Sequence, residues 1–213
     1  MKPLAGLFIT FEGTEGSGKS SQIRMLSQAL TQNGIATLVS REPGGPPISE
    51  AIREILLKRE YGKMLPETEL LLYLASRAQH TGEWIIPALE TGKIVISDRY
   101  NDSTIAYQGA ARSLDQEFIA SVASFATYGL KPDLTFLLDL PVEVGMQRIG
   151  DRTLDRLELE SLSFHQKVRE QYLVIAQNEA QRYIVLDATM DQETIHGRIW
   201  EAVLKAHRSR NER

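Results

Sequence analysis

One short glycine-rich stretch of this chain, residues 13–20, has the composition and spacing needed to hold a phosphate group. Its pattern is Gly, four residues, Gly, Lys and Ser, and it lies between an apolar run and a periodic, helix-like segment. Glycines allow positive φ, so successive backbone N–H groups can point into one concavity beside the helix N-terminus. The Lys19 ammonium can reach the outer phosphates of a nucleotide, and the Ser20 hydroxyl can ligate Mg²⁺. A glycine-rich turn before an ordinary helix is the alternative, which the complete pattern disfavours.

Charged side chains expected near this loop extend the chemistry beyond phosphate binding. Asp98 ends an apolar run, where a carboxylate beside the metal is expected, although it could instead cap a helix. Arg41 and Arg99 follow two different apolar runs, and each could grip a second phosphate as a bidentate fork or form a surface ion pair. Together these residues favour phosphoryl transfer to an anionic acceptor over simple hydrolysis. An acceptor that is itself a phosphate needs no general base, because its second pKa is near ~6.

The elements that must position these residues alternate along the chain between strands and helices. Apolar runs predict strands at residues 7–11, 35–40, 93–97, 134–140 and 183–187. Helices are predicted between and after them, including residues 66–77, 84–89 and 157–180. This alternation predicts an α/β fold with a doubly wound, five-stranded parallel sheet that binds ligands at the carboxyl ends of its strands. The polar segment 150–156 predicts a short lid, and no linker divides the chain, so residues 1–213 are expected to form a single domain.

The composition limits the expected location and partners. Of the 213 residues, 42% are hydrophobic and 24% are charged, which is typical of a globular domain. The formal net charge of −4 argues against nucleic acid as a partner, because phosphate backbones bind basic surfaces. The chain has no cysteine, and no apolar run approaches the length of a membrane span. The first predicted strand begins too close to Met1 to leave room for a signal peptide, so we expect a cytoplasmic protein without a membrane partner.

Short motifs follow one another in a recognisable order along nearly the whole chain. They are Glu-Gly at 12–13, Arg-Glu-Pro-Gly-Gly at 41–45, Asp-Arg-Tyr at 98–100, Ser-Thr-Ile-Ala-Tyr-Gln-Gly at 103–109 and Asp-Arg-Leu-Glu at 155–158. With the glycine-rich loop, they make the chain resemble the bacterial thymidylate kinase family, P-loop enzymes that move a phosphoryl group from ATP to dTMP. The second and third motifs at this separation are far more specific than a P-loop alone. The resemblance implies ATP and dTMP as substrates, Mg²⁺ as cofactor and a homodimer.

The resemblance also implies which residues bind each ligand. The residues expected to bind ATP are Gly13, Thr14, Glu15, Gly16, Ser17, Gly18, Lys19, Ser20 and Ser21. The residues expected to bind dTMP are Glu15, Arg41, Tyr73, Arg77, Arg99, Thr104, Tyr107 and Gln108. The residues expected at the metal are Ser20 and Asp98.

Roles at the phosphate and the sugar follow the family pattern. Glu15 matches the acidic loop residue near the acceptor's 3′-hydroxyl. Arg41 and Arg99 match the arginines on the acceptor phosphate. Tyr107 matches the residue that crowds a ribose 2′-hydroxyl, and Gln108 lies beside it, although Tyr107 could instead be a core residue.

Roles at the base are implied in the same way. Tyr73 matches the aromatic residue, usually Phe, that stacks on thymine, but it could instead belong to the core of its helix. Arg77 and Thr104 match contacts to the polar edge of thymine. The family varies at the position of Thr104, so a structural role remains an alternative there.

Gly16 departs from one branch of the family, in which this loop position is an arginine. The missing arginine is then expected from the lid, as in the enterobacterial type. Arg148, Arg152 and Arg156 are available, and Arg152 is nearest to the middle of the lid. The expected catalytic residues are therefore Lys19, Arg99 and Arg152. The lid is shorter by one residue and poorer in arginine than the enterobacterial lid, so the choice among its arginines stays open.

Two other functions compete with a dTMP kinase. One is a kinase for a different nucleoside monophosphate or for a deoxynucleoside, and the other is a switch or motor ATPase without a small-molecule acceptor. The first does not account for Arg-Glu-Pro-Gly-Gly combined with Asp-Arg-Tyr. The second gives no reason for Tyr73, Arg77 and Tyr107.

Overall fold

Residues 4–150 and 153–211 are described by the computed structural model of this chain. Within these ranges the strands are β1 Leu7–Glu12, β2 Thr37–Arg41, β3 Ile94–Asp98, β4 Leu134–Asp139 and β5 Tyr183–Asp187. The helices are α1 Lys19–Gln32, α2 Pro47–Leu57, α3 Pro66–His80, α4 Ile86–Glu90, α5 Asn101–Thr104, α6 Gln116–Ala126, α7 Val142–Ile149, α8 Leu162–Asn178 and α9 Gln192–Asn211. Two π-helical segments, Thr81–Ile85 and Ile105–Ala111, follow α3 and α5, and a short 3₁₀ turn spans Arg59–Tyr61.

The described strands form one parallel sheet in the order β2-β3-β1-β4-β5, which confirms the predicted α/β fold. β1 lies at the centre, and every one of its residues is buried. In the register, Asp98 at the end of β3 is level with Phe11 of β1 on one side and Arg41 of β2 on the other. The carboxyl ends of these three strands therefore bring together residues that are far apart in the sequence.

Hydrophobic residues cover the sheet on both faces, which explains why its strands are nearly continuous apolar runs. On one face, Leu26 and Leu30 of α1 pack with Ile199 of α9 against the strands. On the other face, Val168 and Tyr172 of α8 pack with residues of the segment after α5. No helix in the described ranges combines the length and apolarity needed to cross a membrane.

Two predicted helix boundaries were wrong. The helix predicted at 84–89 is not separate, because the chain stays right-handed and helical from α3 through Thr81–Ile85 into α4, despite Gly82. The helix predicted to begin at residue 157 begins at Leu162, since the Ser161 hydroxyl accepts the Phe164 N–H as an N-cap. Before it, Asp155 accepts the N–H groups of Leu157 and Glu158 at 2.8 and 3.0 Å, which stabilises a turn instead of a helix.

Candidate active site

The carboxyl ends of β1, β2 and β3 open onto a cleft of about 310 Å³. Most of the residues predicted to bind ligands line it. They are Glu15, Gly16, Ser17, Gly18, Lys19, Ser20, Ser21, Arg41, Tyr73, Asp98, Arg99, Thr104, Tyr107 and Gln108. Gly13, Thr14 and Arg77 are not among its lining residues, and Arg152 lies outside the described residues.

The glycine-rich loop has the backbone that its sequence predicts. Gly16 and Gly18 have φ values of 72° and 92°, and α1 begins directly after Gly18. A side chain at residue 16 would overlap the carbonyl oxygen of Gly145. An arginine therefore cannot occupy this loop position in the observed backbone, which fits the expectation that a catalytic arginine comes from elsewhere.

Lys19 folds back onto its own loop. Its Nζ donates hydrogen bonds to the carbonyl oxygens of Gly13 and Thr14, both at 3.0 Å, and the side chain is almost fully buried. Burial, and then the positive charge of Arg99, lowers the pKa of the Lys19 ammonium. A bound phosphate would offer this cation stronger acceptors than neutral carbonyl oxygens.

Ser20 and Asp98 meet at one side of the cleft. The Ser20 hydroxyl donates to a carboxylate oxygen of Asp98 at 3.4 Å, and Asp98 caps no helix, since α5 begins at Asn101 without a side-chain cap. Within the described part of the chain, no three His, Asp or Glu side chains cluster in a way that could hold a metal alone. Mg²⁺ usually binds one or two protein oxygens together with water and substrate phosphates, so this pair fits that cation.

Arg99 forms an ion pair with Glu15 across the cleft. Its guanidinium also contacts the hydroxyls of Tyr172 at 3.1 Å and Ser103 at 3.4 Å, and lies 5.1 Å from the centroid of the Tyr107 ring. Burial opposes ionisation of Glu15, but the charges of Arg99 and Lys19 outweigh it and lower the pKa of the carboxyl to about 2. Arg99 also has a left-handed backbone, with φ of 71°, which is rare for a residue with a side chain and typical of functional sites.

Arg41 and Arg53 add positive charge to the opposite wall. Arg41 pairs with Glu50 at 3.0 Å and is about half exposed, so the ion-pair alternative and the phosphate role are both compatible with its position. Arg53 was not predicted, yet it lines the cleft and donates to the carbonyl oxygen of Pro43 at 2.6 Å. Burial, and then the charge of Arg41, lowers the pKa of Arg53. One sequence signal could have identified Arg53. It lies one turn beyond Glu50, on the helix that follows the Arg-Glu-Pro-Gly-Gly loop.

Tyr73 and Tyr107 supply aromatic surface to the cleft and are also part of the core behind it. Tyr107 is nearly buried, its ring contacts those of Phe164 and Tyr172 edge-on, and its hydroxyl donates to Glu15 at 3.2 Å. Tyr73 is partly buried and packs against the same cluster. The structural and functional alternatives for these tyrosines therefore do not exclude each other.

Arg77 lies behind the cleft wall, not in it. It is 1% exposed, and its three nitrogen atoms donate to Glu42 at 2.6 Å, Thr104 at 2.5 Å and the Tyr100 carbonyl oxygen at 2.9 Å. Thr104 does line the cleft, so the structure places Arg77 where it can orient Thr104. These hydrogen bonds use three of its five N–H donors, and the direct contact to a base expected for Arg77 stays a prediction.

Gln108 and Arg156 meet at a buried carboxylate beside the cleft. Glu69 accepts Gln108 Nε2 at 2.8 Å and Arg156 Nη1 at 2.6 Å. Arg156 is nearly buried and also donates to the carbonyl oxygen of Leu56 at 2.9 Å. Arg148 points elsewhere and donates to the carbonyl oxygen of Ala188 at 2.9 Å. Both candidate arginines in the described part of the chain are thus engaged by the protein.

Comparisons with known proteins connect this geometry with one family. The family model described as thymidylate kinase matches residues 11–199. A thymidylate kinase of Geotalea uraniireducens is 50% identical over 206 residues, which cover 93% of this chain and 97% of that protein. One from Carboxydothermus hydrogenoformans is 51% identical over 199 residues, covering 93% and 95%. The crystal structure of thymidylate kinase from Ehrlichia chaffeensis is 30% identical, with a TM-score of 0.76 over 93% of this chain and 98% of that one.

Proposed function

This chain belongs to the thymidylate kinase family, which transfers the γ-phosphoryl group of ATP to dTMP, and we propose that the cleft described above is where it does so. The observation that carries the assignment is the ion pair of Arg99 with Glu15, which joins the P-loop to the strand end expected to hold the acceptor. Donor and acceptor would thus lie in one continuous cleft, as direct transfer requires.

The ATP side of the site is built by the P-loop. Backbone N–H groups of residues 13–21 surround the phosphates at the N-terminus of α1, where the helix dipole favours negative charge. Lys19 exchanges its loop carbonyl acceptors for phosphate oxygens and remains a fixed cation beside the transferred group.

The acceptor phosphate is bound by arginines from three different elements. Arg99 extends from the end of β3, Arg41 from the end of β2, and Arg53 from α2. The phosphate displaces Glu15 from Arg99, which leaves the Glu15 carboxylate available to accept a hydrogen bond from the 3′-hydroxyl of the sugar. Because the acceptor is already ionised near neutral pH, alignment and charge neutralisation supply the catalysis without a general base.

The nucleoside of dTMP is recognised by the remaining wall. Tyr73 stacks on thymine, while Thr104, oriented by Arg77, binds its polar edge. Tyr107 crowds the position of a ribose 2′-hydroxyl, and Gln108, held by Glu69, lies beside it.

Ser20 and Asp98 are the residues that would hold Mg²⁺. When bound, the cation would supply charge neutralisation at the phosphate oxygens. The two side chains themselves set its place, with Ser20 at the start of α1 and Asp98 at the end of β3, next to the P-loop.

The catalytic arginine is proposed to be Arg152 of the lid, segment 150–156. Arg148 donates to Ala188 and Arg156 is paired with Glu69, so neither is available without breaking its own contacts. The lid boundaries, the single domain and a cytoplasmic location stay predictions.

A homodimer is proposed to form through one exposed apolar surface on α3 and α6. On α6, Phe125 is 86% exposed and Phe118 57% exposed, and on α3 Leu71 is also exposed. The two helices are neighbours, since Leu70 and Leu74 of α3 pack with Ile119 and Ala123 of α6. An apolar patch of this kind is typical of a protein interface. Phe125→Glu is expected to give a monomer in sedimentation, and an unchanged mass would reject this surface.

The test of the proposed function is ADP formation from ATP with a panel of nucleoside monophosphates and with none. We expect rapid ADP formation with dTMP, and much less with its ribose analogue or with purine monophosphates. ADP formation without any acceptor would instead indicate an ATPase, and a preference for another monophosphate would reject the base assignment.

A further inference from the structure

A buried carboxylate, Glu12, lies behind the acceptor side of the cleft and has no role so far. It is the last residue of β1 and is fully shielded from solvent. Its Oε1 accepts the backbone N–H of Tyr100 at 2.8 Å. Its Oε2 accepts the hydroxyls of Ser103 at 2.7 Å and Tyr172 at 2.8 Å. Burial of a carboxylate costs stability even with good partners, so this arrangement is expected to serve something other than stability.

The same two hydroxyls hold the guanidinium of Arg99. Its Nη1 donates to Tyr172 at 3.1 Å and to Ser103 at 3.4 Å, and the two hydroxyl oxygens are 2.7 Å apart. An arginine can only donate, so each hydroxyl must direct its own hydrogen to another acceptor. Glu12 accepts from both and thereby turns their lone pairs towards Arg99.

Glu12 also fixes the turn that carries Arg99. The left-handed backbone of Arg99, with φ of 71°, needs support from its surroundings. The N–H of Tyr100, which follows Arg99, donates to Glu12, and the N–H of Arg99 donates to the carbonyl oxygen of Phe11 at 2.9 Å. The end of β1 therefore holds this turn on both sides of its strained residue.

We propose that Glu12 is a positioning residue of the acceptor site, which orients Arg99 for phosphate binding and takes up a proton when dTMP binds. The proposal rests on the function proposed above, in which Arg99 binds the acceptor phosphate. Without dTMP, the positive charge of Arg99 helps to keep Glu12 ionised. A bound dianionic phosphate neutralises that charge and adds negative charge nearby, so the protonated form of Glu12 becomes favoured.

The charges around Glu12 place this proton uptake near neutral pH. Burial, with repulsion from Asp102, raises the pKa of Glu12 to about 7, against the opposing charge of Arg99 and the hydrogen bonds from Ser103 and Tyr172. The ionisable groups that face it from the packed elements are Lys19, Arg99, Asp102, Tyr172 and Tyr183. Glu12 is then partly ionised near neutral pH, and its protonation on dTMP binding takes up a fraction of a proton.

Glu12→Gln separates positioning from a merely structural role. The amide keeps the shape and an acceptor for the Tyr100 N–H, but it presents donors to Ser103 and Tyr172 and leaves a hydroxyl hydrogen without an acceptor. We expect the KM for dTMP to rise about 10-fold or more, with the KM for ATP unchanged, because the contacts to Arg99 lose their orientation. Tyr172→Phe, which removes only one of the hydroxyls, is expected to raise the KM for dTMP by a smaller factor and to reduce the proton uptake without abolishing it, because Glu12 loses a hydrogen bond that favours its ionised form.

Calorimetric titration of dTMP at pH 7, in buffers of different ionisation enthalpy, measures the protons taken up. The wild type is expected to take up measurably more protons than Glu12→Gln, while titration of the dTMP phosphate itself contributes to both and cancels in the difference. Equal proton uptake and equal KM for dTMP in the two proteins would overturn the proposal.

Arg99→Met, measured alongside, distinguishes failure of this proposal from failure of the function beneath it. If Arg99→Met weakens dTMP binding and Glu12→Gln does not, Arg99 keeps its phosphate role and the positioning role of Glu12 is rejected. If Arg99→Met leaves dTMP binding unchanged, Arg99 does not bind the acceptor phosphate, and the proposed role of Glu12 is also rejected. If Glu12→Gln does not fold, two other measurements test the proposal. An unchanged KM for dTMP in Tyr172→Phe, together with a wild-type proton uptake no larger than the dTMP phosphate itself accounts for, would reject the role of Glu12.

Discussion

Arg99 and Glu15 form an ion pair that joins the end of β3 to the P-loop, although the two residues are 84 positions apart. Both side chains are mostly buried, and the charges of Arg99 and Lys19 hold the pKa of Glu15 near 2 in spite of burial, so the pair is ionised at neutral pH. In the proposed acceptor site, the phosphate of dTMP must therefore compete with Glu15 for the guanidinium.

Lys19→Ala is expected to lower kcat by about 10²-fold or more, because the transferred phosphoryl group loses a fixed cation. The dTMP dissociation constant should change little, since Lys19 contacts the P-loop carbonyls and not the acceptor wall. Steady-state ADP formation and separate dTMP calorimetry measure the two effects. A kcat close to that of the wild type would contradict the P-loop assignment.

Tyr73→Ala is expected to weaken dTMP binding by about 1–3 kcal/mol, the usual contribution of a base stacked on an aromatic side chain. ATP affinity should stay the same, and Tyr73→Phe, which keeps the ring, should resemble the wild type. Calorimetry with each nucleotide provides the comparison. Equal losses for ATP and dTMP would mean that Tyr73 acts through the core cluster against which it packs.

Tyr107→Ala is expected to reduce the preference for dTMP over its ribose analogue, because the side chain that clashes with a 2′-hydroxyl is gone. The ring also contacts Phe164 and Tyr172, so a thermal denaturation curve must show that the variant is folded. Tyr107→Phe removes only the hydrogen bond to Glu15 and should keep the preference. If the ratio of the two kcat/KM values is the same in Tyr107→Ala and the wild type, sugar selection lies elsewhere.

Arg152→Ala is expected to lose catalytic rate, whereas Arg156→Ala is expected to lose stability. Arg152→Ala should lower kcat by about 10²-fold or more and leave dTMP affinity and Tm unchanged, the signature of a contact made only in the transition state. Arg156→Ala removes one of two arginines from buried Glu69, which Arg112 still contacts at 3.1 Å, so it should destabilise the fold by about 1–3 kcal/mol. A stable Arg156→Ala with severely reduced kcat, next to a fully active Arg152→Ala, would move the catalytic role to Arg156.

The parts of the site that sequence could predict are those with a local cause. The glycine spacing before Lys19 dictates the P-loop, and the apolar run of β1 dictates a buried central strand. The parts that it could not predict depend on partners brought close only by folding. Arg77 binds Glu42, which is 35 residues away, and so turns from the cleft towards the core.

The same limit applies to residues that carry no motif of their own. Arg53 reaches the cleft only because α2 leaves the end of β2 in the direction that the structure shows. Glu12 was visible in the sequence as part of a motif, but its partner Tyr172 is 160 residues further on. No local pattern could assign it three hydrogen bonds.

The most direct test of the proposed site is a crystal structure with a bisubstrate compound in which one polyphosphate chain joins adenosine to thymidine. We expect the thymine to stack on Tyr73, the phosphate beside it to bind Arg99 in place of Glu15, and Lys19 to contact the phosphates between the two nucleosides. A thymine bound outside this cleft, or an Arg99 still paired with Glu15 and away from every phosphate, would contradict the proposed acceptor site.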